Sequence, residues 1–281
     1  MRPDAKKVQQ DDPMYFLIPY FLRKRYDAMN MITLDIPEEP IRAYMNEKRR
    51  EGKSVSHMAV LMTAYVKMLG LYPAMNRFIK GRRIYEHKDI TVALAVLKPG
   101  GNGEDTLSKI YLTPEDDIFA VQEKITSYID QNSQTGEANV LDKAMNFFVK
   151  KLRFLTGFAI NLVRAADALG ILPMSLIRVS PFHASVLMSN LASIRTNHIY
   201  HHVYDFGTTS VTMTMGNFRE IPRRKGKTIV FERCIPLGVV MDERIANGHY
   251  MAQAFAQLKK YLADPRLLEA PTPVTEEKAA E

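Results

Sequence analysis

Residues 242–248, which read DERIANG, combine the side chains of this sequence that are best suited to acid–base chemistry. Glu243 could accept a proton, although the ordinary glutamate pKa of about 4.3 makes it a weaker base than histidine, whose pKa is about 6.5. Burial could raise the pKa of Glu243 to about 6 or 7, which would make its carboxylate a usable general base. The pair Asn247-Gly248 is a turn signal, so we expect Glu243 close to a turn.

Three histidines, His198, His201 and His202, form a second candidate site. Imidazoles act as bases or bind metal ions, but the surrounding sequence predicts no further ligands. We therefore expect a structural or interface role and no metal site, and keep His202 as a weaker catalytic candidate. Cys234 is the single cysteine, which excludes an intramolecular disulfide. Its place in an apolar run predicts a small core residue.

The elements that would position residues 242–248 are a strand before them and a helix after them. Apolar side chains, many of them β-branched, dominate residues 229–240 and predict a long strand. After the turn, Met251, Phe255, Leu258 and Leu262 recur at helical spacing, and Pro265 ends this amphipathic helix.

This strand–turn–helix unit resembles the C-terminal signature of the chloramphenicol acetyltransferase and 2-oxo acid dehydrogenase dihydrolipoyl acyltransferase superfamily, whose turn reads D-H-R-x-x-D-G or H-H-x-x-x-D-G. Asp242, Arg244 and Gly248 match that turn. Glu243 stands where the family has its catalytic histidine, and Asn247 where it has an aspartate. The family histidine takes a proton from coenzyme A, dihydrolipoamide or an acceptor hydroxyl. The resemblance therefore implies an acyltransferase frame with a replaced base.

A second stretch, residues 184–193 (ASVLMSNLAS), is similar to the family strand T-I-S-N-L-G. Placed on that motif, Ser185 falls where the family carries a hydroxyl that stabilises the oxyanion of the tetrahedral intermediate. The alternative is a strand serine that faces solvent. With further matches in order along the chain, the resemblance covers nearly the whole sequence as a stand-alone acyltransferase domain.

Three parts are expected along the chain: a loose N-terminal tail at 1–12, an acyltransferase-like domain at 13–268 and a disordered tail at 269–281. Residues 15–22 are apolar around Pro19 and predict a broken edge strand or a short packing segment. A basic, amphipathic helical insertion spans about 140–172. It is expected either to pack on the domain or a neighbouring subunit, or to act as a lid or membrane-surface helix.

Composition is that of an ordinary globular protein, with 281 residues, 46% hydrophobic and 25% charged. The formal charge of +7 allows weak attraction to coenzyme A phosphates, anionic lipid or nucleic acid. The basic run at 223–227 reads as a solvated hairpin tip, so no nucleic-acid partner is expected. No apolar run approaches the length needed to span a bilayer, and a cytoplasmic location is the default expectation.

These observations predict an α/β two-layer sandwich of the chloramphenicol acetyltransferase type, mostly antiparallel, with helices on one face. The resemblance implies a homotrimer with sites between subunits. We expect a catalytically impaired family member that acts as an oligomeric binding or scaffold subunit. The alternatives are an active acyltransferase that uses Glu243 or a nearby histidine, and a membrane-surface protein acting through residues 140–172. No cofactor is expected to be bound permanently; coenzyme A, an acyl thioester or an acyl carrier is the expected substrate or partner.

Overall fold

The computed structural model describes residues 2–9, 12–97, 105–133 and 153–271. Its strands are β1 Ala5–Lys7, β2 Met29–Pro37, β3 Arg77–Lys80, β4 Arg83–His87, β5 Ile90–Leu97, β6 Asp105–Leu112, β7 Val186–Asn190, β8 Val211–Met215, β9 Arg219–Lys225 and β10 Thr228–Asp242. Its helices are α1 Pro13–Phe21, α2 Glu38–Arg50, α3 His57–Leu71, α4 Ile118–Ser133, α5 Thr156–Leu169, α6 Met174–Val179 and α7 Gly248–Ala263.

The main sheet has seven strands in the order β2-β10-β8-β7-β5-β6, and β9 pairs with the first half of β10. The neighbours of β10 (β2, β8 and β9) and the pair β5–β6 are antiparallel, while β8–β7 and β7–β5 are parallel. The sheet is therefore mostly antiparallel, as the sequence predicted. Helices α2, α3, α4 and α7 supply the apolar side chains that pack on one face of this sheet.

Helix α3 lies at the centre of this helical layer. Residues 58–70 are buried without interruption, so the helix is covered on every side. Ser56 caps its N-terminus, with Oγ accepting a hydrogen bond from the backbone nitrogen of Ala59 at 3.1 Å.

Cys234 is fully buried, at the point where β10 passes from exposed to buried residues. The prediction that it is a core residue is confirmed.

The N-terminal residues correct one expectation, because residues 2–9 are not a loose tail. Strand β1 pairs with β4 in a second, three-stranded sheet of order β1-β4-β3. Arg2 and Asp4 are buried and joined by two contacts of 3.0 Å between guanidinium and carboxylate. The remainder of the predicted tail, residues 10 and 11, and the C-terminal residues 272–281 lie outside the described residues.

Residues 15–21 are helical and do not form an edge strand. Asp12 caps α1, with Oδ1 accepting from the backbone nitrogen of Met14 at 2.8 Å, and Pro13 occupies the first turn. Pro19 is tolerated inside this short helix and is its buried residue. The N-cap at Asp12 and the proline in the first turn favour a helix here, although aromatic side chains are more common in strands.

The predicted insertion at 140–172 is described from residue 153 onwards, and its earlier part lies outside the described residues. Helix α5 forms most of the described part, and Asp167 is the one buried residue within it. Across the described parts of the chain, no helix combines the length and apolar character required to cross a bilayer.

A buried ion cluster fastens α5 to the domain. The Asp167 carboxylate contacts Arg2 Nη2 at 3.0 Å, His183 Nε2 at 3.2 Å and the Lys80 ammonium. Burial alone would raise the pKa of Asp167, but the hydrogen bond from His183 and the charge of Lys80 hold it below the usual range. Helix α5 is thus attached to the domain through a buried ion cluster.

Candidate functional site

Asp242, at the end of β10, fixes the turn that carries Glu243. Its carboxylate is fully buried and accepts from Arg244 Nε at 2.7 Å and from the Arg244 backbone nitrogen at 3.1 Å. Its second oxygen lies 2.6 Å from Arg244 Nη2 and 3.6 Å from Arg25 Nε. A buried carboxylate between two guanidinium groups is compensated in charge, so the turn after β10 is rigidly held.

Arg25 connects this turn to the rest of the site. Its guanidinium is buried and donates to the carbonyl of Tyr204 at 2.6 Å and to that of Gly207 at 3.3 Å. Burial lowers the pKa of Arg25, and the nearby Asp242 charge opposes that effect. Gly207 has φ +82°, and a Cβ there would lie 2.1 Å from the carbonyl oxygen of Phe182, so only glycine fits.

Glu243 lies at the surface, between α1 and β2. Its backbone nitrogen donates to the carbonyl of Ala28 at 2.9 Å, and its Oε2 accepts from Asn30 Nδ2 at 2.9 Å. The residue is half-buried. Burial, followed by the charges of Asp12 and Glu243, raises the pKa of Tyr15 in α1. The Tyr15 hydroxyl therefore lies within electrostatic range of the Glu243 carboxylate. The carboxylate is therefore positioned by a hydrogen bond and remains reachable in the single chain.

Asn247 acts as the N-cap of α7. Its Oδ1 accepts from the backbone nitrogen of Tyr250 at 2.7 Å, and the residue is exposed. His249, which the sequence analysis did not consider, follows two residues later, and its Nε2 lies 3.0 Å from Gln253 Nε2 on the same helix. Asn247 thus stabilises the helix that follows the motif, as asparagine commonly does at this position.

Ser185, the predicted oxyanion donor, is buried and does not contact Glu243 within one chain. Its buried hydroxyl accepts from the backbone nitrogen of Thr91 at 3.0 Å and lies 3.4 Å from the carbonyl of Asp89. Two strand spacings, about 10 Å, separate the start of β7 from β10. The hydroxyl is committed to the β5 backbone and is closed to a substrate.

The sequence-based prediction selected Ser185 and overlooked Ser189, which is the serine of the Ser-Asn-Leu match. Read residue for residue, T-I-S-N-L-G falls on residues 187–192, so the family serine corresponds to Ser189 and not to Ser185. Its neighbour Met188 packs into the core under the helices, and alternate strand residues face opposite ways. Ser189 therefore projects from the opposite sheet face, where it is half-buried and paired in register with Thr214.

The three histidines lie on a segment, residues 197–203, that crosses this opposite sheet face. Thr214 Oγ1 donates to the carbonyl of Ile199 at 2.5 Å, and Thr212 Oγ1 to that of His201 at 2.9 Å. Gly238 in β10 permits the crossing, because a Cβ there would lie 2.4 Å from the carbonyl oxygen of Ile199. The segment is therefore held by hydroxyl groups from the strand beneath it.

His198 contacts Thr33 and not Glu243. Its Nε2 lies 3.1 Å from Thr33 Oγ1, and burial, followed by the charge of Arg219, lowers its pKa. Thr33 pairs with Gly238, four residues or about 13 Å along β10 from Asp242.

His202 is exposed and lines a small apolar cavity with Phe182 and Tyr204. Among the described residues, no group of three histidine, cysteine or carboxylate side chains is arranged to hold a metal ion. The geometry therefore does not bring the histidine segment to the turn after β10 within one chain.

Comparison with known proteins agrees with this geometry. Residues 207–270 match the family model of 2-oxoacid dehydrogenases acyltransferase (catalytic domain). No curated protein matches the chain.

Three solved structures share the fold. Dihydrolipoamide acetyltransferase of Azotobacter vinelandii is 14% identical with a TM-score of 0.59, covering 93% of this chain and 94% of that one. The cubic core of the pyruvate dehydrogenase multienzyme complex is 14% identical with a TM-score of 0.58, covering 93% and 94%. Chloramphenicol acetyltransferase is 13% identical with a TM-score of 0.56, covering 92% and 99%. The predicted fold class and the resemblance to this superfamily are confirmed.

Proposed function

We propose that this acyltransferase-fold protein is catalytically impaired and acts as an oligomeric binding or scaffold subunit. The observation that carries the proposal is the side chain at residue 243. The position that the resemblance assigns to the family's base holds a half-exposed glutamate bound to Asn30. Glutamate, with an ordinary pKa of about 4.3, is by type a weaker base than the histidine of the family, whose ordinary pKa is about 6.5.

The second candidate is an active acyltransferase that moves an acyl group from a coenzyme A or lipoyl thioester, with Glu243 as base. Its support is Asn247. In dihydrolipoamide acetyltransferase of Azotobacter vinelandii, the residues studied for their role in the catalytic mechanism are a serine, a histidine and an asparagine, the last two four residues apart. Glu243 and Asn247 have that same separation, so asparagine at the second position does not by itself indicate lost activity. Ser189 is then the candidate for the hydroxyl role.

A homotrimer is part of the proposal. Glu243 lies at the surface, and Ser189 projects from the sheet face opposite the helices, so one chain does not bring them together. A neighbouring copy that presents Ser189 to Glu243 would complete the site. The pyruvate dehydrogenase relative forms a cubic core, which supports assembly of this fold without fixing its number of subunits here.

The experiment measures transfer of an acetyl group from acetyl coenzyme A to dihydrolipoamide, with the S-acetyl product quantified by chromatography. We expect wild type to give the uncatalysed rate, and Glu243→Gln to leave it unchanged. Glu220→Gln, an exposed carboxylate on β9, is the matched control.

Turnover by wild type that Glu243→Gln lowers by about a hundred- to ten-thousand-fold, while Glu220→Gln does not, would establish the second candidate. Turnover that survives Glu243→Gln would contradict both the impaired-subunit proposal and the acyltransferase with Glu243 as its base. A gain of activity in Glu243→His that Ser189→Ala then removes would show that only the base has been lost.

A further inference from the structure

Helix α5 presents its apolar side chains outward. Phe158, Leu162 and Leu169 are 70%, 61% and 74% exposed, and spacings of four and eleven residues place them on one helix face. Asp167, the buried anchor, follows Phe158 by nine residues, or two and a half turns, and so lies opposite. A helix packed on its own domain shows the reverse orientation, with its polar face in water.

Helix α1 repeats this feature. It contains no charged residue, and Pro19 is its buried residue. Phe21 is 76% exposed, and Leu17 and Met14, on the same side, are also exposed. Two separate helices thus expose large apolar side chains, beyond the scattered exposure that is normal for a soluble domain.

A basic turn lies between these two helices. Arg82 sits at the tip of the β3–β4 hairpin, with its guanidinium carbon 5.2 Å from the ring centre of Tyr20 in α1. The adjacent Gly81 lies beside α5, where a Cβ would be 3.9 Å from the carbonyl oxygen of Ala168. Arg83 and Lys7 are exposed nearby and, with Arg82, line a groove of about 460 Å³ against α1.

We propose that α5, α1 and this basic turn form a face that docks on an anionic membrane surface. The apolar side chains would enter the boundary between headgroups and acyl chains, while the arginines and Lys7 contact lipid phosphates. In residues 153–180 the charged side chains are three arginines and one carboxylate, the buried Asp167. No acidic group of α5 therefore opposes approach to the negative surface.

Charge favours lipid over a second copy as the occupant. The chain carries a formal charge of +7, so a second copy in any orientation is on balance repelled by these arginines, and a two-fold contact would place Arg82 and Arg83 against their equivalents. Like charges brought together oppose association, whereas anionic lipid attracts the same residues.

The test measures partition of the full chain onto vesicles of phosphatidylcholine with phosphatidylglycerol by flotation, compared with phosphatidylcholine alone. We expect binding to the anionic vesicles and weaker binding at high salt. The triple variant Phe158→Ser, Leu162→Ser, Leu169→Ser should lower the partition coefficient by at least about tenfold. The control Ile229→Ser, Phe231→Ser removes equally exposed side chains, at 68% and 69%, from the β9–β10 hairpin and should leave partition within about twofold of wild type.

Charge is tested separately. Arg82→Gln and Arg83→Gln should each weaken binding to anionic vesicles by roughly fivefold, while Arg224→Gln, on the other hairpin, should not. Failure of wild type to float with anionic vesicles overturns the proposal, as does equal binding of the triple variant. A triple variant that instead reduces the assembly mass by light scattering, without lipid, would assign the face to a second copy.

Discussion

Replacing Asp167 by asparagine tests whether buried charge fastens α5 to the domain. Asparagine keeps the shape of the side chain but removes the negative charge shared by Arg2, Lys80 and His183. Arg2 retains Asp4 as a partner, so the loss falls mostly on Lys80.

Removing one member of a buried ion pair costs about 3–5 kcal/mol, and with one cation still paired we expect about 3 kcal/mol. For a domain of this size, that lowers the melting temperature by about 6–12 °C. Urea unfolding followed by circular dichroism at pH 7.5 gives the free energy. Asp35→Asn, whose partner Arg219 is exposed, is the control and should cost at most about 1 kcal/mol.

The sign of the pH dependence is an independent check. Because the pKa of Asp167 in the folded protein lies below its unfolded value, its stabilisation is present at neutral pH and is lost as pH falls below about 4. Because Asp167→Asn has no carboxylate to protonate at this position, its free energy of unfolding should fall less than that of wild type as the pH drops below about 4. In addition, Lys80→Met with Asp167→Asn should cost less than the sum of the single changes. An Asp167→Asn variant within 1 kcal/mol of wild type would refute the reasoning, since ~3 kcal/mol is expected.

Three further results are expected. Burial lowers the pKa of His87 to about 4, so its neutral form contributes stability above pH 6.5 that is lost towards pH 4, about 3 kcal/mol. His87→Gln should flatten the melting profile over that range, and an unchanged slope would contradict this. Gly207→Ala should cost more than about 2 kcal/mol, because the new Cβ meets the carbonyl oxygen of Phe182, whereas Gly226→Ala meets open space; equal costs in denaturant would be the contrary outcome. Asn247→Ala should cost about 1 kcal/mol through loss of the α7 cap, and an unchanged denaturation midpoint would argue against capping.

The central frame of this protein follows from local sequence signals. The long apolar run of β10, the turn at Asn247-Gly248 and the periodic α7 are adjacent in the chain, so short-range pattern and capping chemistry are sufficient to predict them. The mismatch at Glu243 is likewise visible in the sequence, because the surrounding residues fix its position in the motif.

The contacts made by individual strand residues could be learned only from the tertiary structure. Ser185 and Ser189 are four residues apart, yet one is locked against β5 and the other projects from the sheet. Alternation alone would place both serines on the same sheet face, so the difference comes from the neighbouring strand, where the backbone nitrogen of Thr91 donates to the hydroxyl of Ser185.

The attachment of the N-terminus and of the insertion also depended on distant contacts. Arg2 donates to Asp167 across 165 residues of sequence, so neither the buried start of the chain nor the inward side of α5 has a local signal. The sequence left open whether this helix packs on the domain or lies at a surface, and the buried Asp167 carboxylate shows which side of α5 faces the domain. An ion removed from water requires its partner wherever that partner lies in the chain, and only the folded chain shows where the charges meet.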